Sequence, residues 1–73
     1  MSIGTIINVI DENGHFHQIL KDLGLKKYNP SKQELDNARS IAAEHYPNYK
    51  RATLDVMHYD KNEYNDKNKV IEL

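Results

Sequence analysis

The sequence predicts a two-layer α+β fold, a small antiparallel sheet with one main helix, in the order ββαββ. Three observations carry this. A β-branched run at about 3–10 ends on Asp-Glu-Asn-Gly, a hairpin-turn signal. A capped amphipathic segment occupies about 31–45. A segment of period two follows at about 51–59.

The opening run, Ile-Gly-Thr-Ile-Ile-Asn-Val-Ile, favours a strand because branched side chains fit a pleated surface, and it is short for an average helix. Asp11-Glu12-Asn13-Gly14 then turns the chain, since Asn and Gly tolerate positive φ. Residues 15–25 admit two readings. As a strand, His15 to Lys21 returns from the turn as a hairpin. As a helix, Phe16, Ile19, Leu20 and Leu23 share one face and Gly24 stops it, which gives βααββ instead. The turn favours the hairpin.

Ser31 and Glu34 stand at the spacing of a capping box, the hydroxyl accepting from an exposed N–H and the carboxylate reaching back. Leu35, Ala38, Ile41, Ala42 and His45 follow on one stripe, and Pro47 prevents continuation. The alanines imply close approach to the layer beneath. In Arg-Ala-Thr-Leu-Asp-Val-Met-His-Tyr, Ala52, Leu54, Val56 and His58 alternate with Thr53, Asp55, Met57 and Tyr59. Residues 60–69 read as a polar exposed loop. Val70, Ile71 and Leu73 read as a short closing strand or a docked tail.

The chain has 73 residues, enough for a single domain spanning 1–73. Ten Lys+Arg against eleven Asp+Glu give a net charge of −1, which excludes a polybasic nucleic-acid tail and an acidic DNA mimic. Without cysteine there is no disulfide framework, thiolate metal site or Cys nucleophile. No apolar run reaches the roughly 20 residues that span a bilayer. The first residues lack the basic segment of a secretory signal. The expectation is a cytoplasmic protein without membrane contact. Chains this small commonly need a disulfide, a metal or oligomerisation to be stable. Eight Lys to two Arg, with eight Asn and seven Ile, match the usage of an AT-rich genome such as that of a bacterium, phage or mobile element.

In the hairpin reading the first strand has Ile3, Thr5, Ile7 and Val9 on one face and Ile6, Asn8 and Ile10 on the other. Both faces are apolar, whereas a strand solvated on one side should alternate cleanly. One helix covers one face. Ile6 and Ile10 are therefore either covered by a further element or form a partner surface with Phe16, Met57 or Tyr59.

A second cluster combines Tyr46, Tyr49, Lys50 and Arg51, with Tyr28, Lys26 and Lys27 nearby in the basic stretch 21–51. Tyrosine and arginine are common hot-spot residues. Aromatic rings beside lysines also suit single-stranded nucleic acid. The structural reading of the same residues is that Tyr46 and Tyr49 staple the helix end to the sheet. His15, His17, His45 and His58 have no metal-ligand spacing signature, and no metal or other cofactor is expected. Asp55, His58 and Asp60 do not make an acid–base set on an alternating strand, and no phosphate loop or nucleophile elbow is present, so no catalytic residue is expected.

The hairpin–helix–hairpin outline resembles small phage proteins that block host machines, including some anti-CRISPR proteins. The resemblance covers architecture and no residue motif, so it carries no functional residue across. It implies a non-enzymatic interaction module that binds and inhibits or modulates a larger host protein or nucleoprotein complex. Ile6, Ile10, Tyr46, Tyr49, Lys50 and Arg51 are the expected partner-binding residues. A homodimer is a further partner expectation, and the alternative function is a small nucleic-acid-binding regulator using the basic-aromatic patch.

Overall fold

Strand β1 (Ser2–Ile10) is the centre of the architecture, because two other strands are built onto its edges. The computed structural model describes residues 2–59 and 67–73. β2 (Phe16–Ile19), α1 (Lys32–His45), β3 (Arg51–Tyr59) and β4 (Lys67–Glu72) follow in chain order. The strands form one antiparallel sheet, order β2-β1-β3-β4. The order is ββαββ, as the turn signal predicts. The helix considered for residues 15–23 does not form. The closing segment is strand β4, which takes in Lys67, Asn68 and Lys69 of the expected polar loop and ends before Leu73; residues 60–66 of that loop lie outside the described residues.

The hairpin turn closes on three loop residues. Gly14 N–H donates to the Asp11 carbonyl at 3.0 Å, and Asp11 N–H donates to the His15 carbonyl at 2.9 Å. Gly14 takes φ +84°, the left-handed conformation that a three-residue hairpin loop places at its last position. Asn13 keeps a negative φ, so the glycine alone supplies the reversal.

β2 ends at Ile19, earlier than the expected Lys21, and the reason is Thr5. Its hydroxyl donates to the Lys21 carbonyl at 2.6 Å and accepts from Leu23 N–H at 3.2 Å. These bonds pull the chain off the sheet edge and across the face that the helix also covers. Asp22 Oδ1 then accepts from Gly24 N–H at 2.8 Å, and Gly24 turns at φ +67°. Leu25 beyond it is buried, and Leu23 and Tyr28 pack against the core. Residues 20–31 are thus a strap laid over part of the sheet.

The helix begins as the capping box predicts. Glu34 N–H donates to Ser31 Oγ at 3.2 Å, and Ser31 N–H donates to Glu34 Oε1 at 2.8 Å. A good N-cap is worth about 1 kcal/mol. Ala38, Ile41 and Ala42 are its buried positions. The fully buried Ile7, Val9, Leu54 and Val56 lie beneath them on the inner sheet face. Each such side chain contributes about 1.5–3 kcal/mol by leaving water.

Replacing Thr5 by Val removes both anchors of the strap while keeping shape. The expected outcome, read by urea unfolding, is a loss of about 1–3 kcal/mol from two polar backbone groups left without their partner. An unchanged midpoint contradicts the anchoring role.

Candidate docking surface

Period-two alternation sends every second residue of the four strands to the outer face, away from α1. The centre of that face is a polar rib. Gln18 Nε2 donates to Asn8 Oδ1 at 3.0 Å, and Asn8 Nδ2 reaches Thr53 Oγ1 at 3.4 Å. The register places Gln18, Asn8 and Thr53 side by side on three strands, with Glu72 next to Thr53 on the fourth.

Apolar residues flank the rib on both sides. Towards the hairpin turn, Ile10 lies between Phe16 and Arg51. Away from the turn, Ile6 pairs with Asp55, which pairs with Val70. Phe16 and Val70 are 59% and 61% exposed, and Ile6 and Ile10 are shielded only in part. No element of the described chain lies over them, since the helix and the strap are both committed to the inner face.

Arg51 and Glu72 form an exposed ion pair at the rim, with Nε to Oε2 at 3.1 Å and a second contact from Nη2 to Oε1. The hydrogen bond to Glu72 raises the Arg51 pKa, and the bond to Arg51 lowers that of Glu72. Asp55 makes no ion pair among the described residues.

The six residues expected to bind a partner do not form one patch. Ile6, Ile10 and Arg51 share the outer face. Tyr46 and Tyr49 are half-buried and pack against the core on the other side. Tyr46 N–H donates to the Ala42 carbonyl at 2.8 Å, and its ring stacks on His17 with centroids 4.3 Å apart. The two tyrosines therefore join the helix end to the sheet. Lys50 is exposed at the corner, its N–H bonded to the Ile10 carbonyl at 2.8 Å. Arg51 is its neighbour in sequence, yet alternation turns it to the outer face. Sequence reasoning missed Val70, Asp55 and the rib; the alternation of Val70 with Ile71 was the available signal for the first.

The histidines separate as well. His17 Nε2 meets Asp11 Oδ2 at 2.7 Å, while His15 Nδ1 is 3.8 Å from the same oxygen. Asp11 Oδ1 accepts from the backbone N–H of Asn13 at 2.8 Å and of His15 at 2.9 Å. Among the described residues no group of three or more His, Asp or Glu is arranged to hold a metal. The His58 side chain and Asp60 lie outside the described residues, so the acid–base set they were weighed for has no described geometry. Among the described residues no helix is long and apolar enough to cross a membrane.

The His17 hydrogen bond, helped by the His15 backbone, lowers the Asp11 pKa from its ordinary 3.8 to about 2. A depressed carboxylate pKa adds stability above the unfolded value and loses it as pH falls through the folded one. Wild type should therefore exceed Asp11→Asn in melting temperature most clearly above about pH 4. The gap should close between there and about pH 2. A gap of constant size through that window contradicts the assignment. Comparison of the chain with protein-family models, curated proteins and solved structures returns no match.

Proposed function

We propose that the chain is a non-enzymatic protein-interaction module that docks through its outer sheet face. Its action on a larger protein or nucleoprotein complex is inhibition or modulation by occlusion. The observation that carries this reading is the position of Ile6 and Ile10 opposite the helix, on the same sheet face as the exposed Phe16 and Val70. Exposed apolar residues gathered on one face of a small protein are the kind of feature that marks a partner site.

The chemistry asked of the face is modest. Ile6, Ile10, Phe16 and Val70 supply apolar area that leaves water on contact. The amides of Asn8 and Gln18 supply donors and acceptors that fix register. Arg51 and Glu72 at the rim act on encounter and orientation more than on affinity. The nucleic-acid alternative draws no support from the placement of its residues. Tyr46 and Tyr49 pack inward, Arg51 faces the other side of the sheet, and Tyr28 lies by Lys69, whose Nζ is 5.8 Å from the ring centroid. Binding that weakens steeply with ionic strength would restore that alternative.

Lysine at three isoleucines separates a docking face from a core. Ile7→Lys should lower stability by more than about 3 kcal/mol, because it buries an unpaired charge. Ile6→Lys and Ile10→Lys should unfold near the wild-type midpoint and lose association. Outer-face variants as unstable as Ile7→Lys contradict the reading.

A further inference from the structure

The outer face carries a two-fold pattern centred on the polar rib. Two residues to one side of Gln18, Asn8 and Thr53 stand Phe16, Ile10 and Arg51. Two residues to the other side stand Ile6 and Asp55, on β1 and β3. On β1 an isoleucine is mirrored by an isoleucine. On β3 a cation is mirrored by an anion.

From this pattern we infer that, in the free protein, the occupant of the outer face is a second copy of the same chain. The inference rests on the reading of this face as a docking surface and names its partner. Two sheets laid face to face, with the rib along the two-fold axis, bring β1 over β1 in opposite directions. Ile10 of one copy then meets Ile6 of the other, and Arg51 meets Asp55. Every contact is made twice, which is the self-complementarity an isologous interface requires. A second copy supplies Asp55 with the ion pair that it lacks among the described residues of its own chain.

The amides of the rib fit the same arrangement. Asn8 and Gln18 lie on the axis, and an amide both donates and accepts, so each can bond its own counterpart. Glu72 extends the rib onto β4, where the axis brings it to its own counterpart, and the Arg51 beside it in each chain offsets that like charge. A guanidinium has five donors, enough to bridge Glu72 of its own chain and Asp55 across the interface. Face-to-face sheets pack about 10 Å apart, within reach of a long arginine side chain. Four strands with central members of nine residues offer a footprint of roughly 500 Å² a side, from strand spacing and rise. The total of roughly 1,000 Å² is at the lower bound for a specific interface, so the dimer is concentration-dependent. A larger protein competing for the face would displace the second copy.

Sedimentation equilibrium over a wide concentration range tests this with charge-exchange variants. Wild type should pass from the mass of one chain to that of two as concentration rises. Arg51→Asp and Asp55→Arg, each alone, place like charges in both symmetric contacts and should dimerise at least tenfold more weakly. An equimolar mixture of the two variants joins opposite charges at both contacts and should recover the mass of two chains. Wild type that stays monomeric throughout overturns the second copy, and a mixture no better than its parts overturns the two-fold geometry. The Ile10→Lys variant separates this failure from that of the docking face. Wild-type stability in Ile10→Lys with a monomeric wild type removes the second copy alone. Instability equal to that of Ile7→Lys removes both.

Discussion

Strand β1 has isoleucine on both of its faces, and the layer above the sheet can shelter only one of them. On the inner side Ile7 and Val9 are sealed by α1, with Ile3 at the margin. On the outer side Ile6 and Ile10 are left to their strand neighbours. The rest of the molecule is arranged around that inequality. The helix provides two fully buried alanines, Ala38 and Ala42, so that its backbone can approach the sheet. The strap of residues 20–31, fastened by Thr5, fills what the helix does not reach. Both devices act on the same face, which leaves the other with no covering element in the described chain.

The two ends of the inner layer are held by different chemistry. One end depends on the neutral hydroxyl of Thr5 and the buried Leu25. At the other, Asp11 ties the hairpin turn to His17, and His17 stacks on Tyr46 at the helix terminus. Turn, strand and helix are joined there in one contiguous contact. A small domain has little stability to spare, since it buries a modest fraction of its surface. These local ties matter more in such a chain than in a large one, and so does any association that removes further apolar area from water.

Much of the fold was legible because its signals are local. Asp11-Glu12-Asn13-Gly14 specifies a reversal through a single left-handed glycine, and Ser31 with Glu34 specifies a helix start through two reciprocal hydrogen bonds. The strap was not legible, since it depends on a bond between Thr5 and residues 16 and 18 positions further along. The candidate site was legible in part. The apolar excess of β1 pointed to Ile6 and Ile10 directly. Tyr46, Tyr49, Lys50 and Arg51 are neighbours in sequence, and proximity in sequence suggested one patch. The chain bends inward at the helix end and alternates once β3 begins, so the tyrosines serve the core while Arg51 faces out. Pairing across the sheet, which sequence alone does not reveal, is what sets Val70 beside Asp55 and Glu72 beside Thr53.

The uncovered outer face is the claim on which the functional account depends, and methyl NMR with a neutral paramagnetic cosolute measures it residue by residue. In dilute protein the Ile6 and Ile10 methyl signals should be attenuated well before those of Ile7 and Ile41. Protection of Ile6 and Ile10 equal to that of Ile7 at the lowest measurable concentration would contradict the account, because the face would then be sealed within one chain.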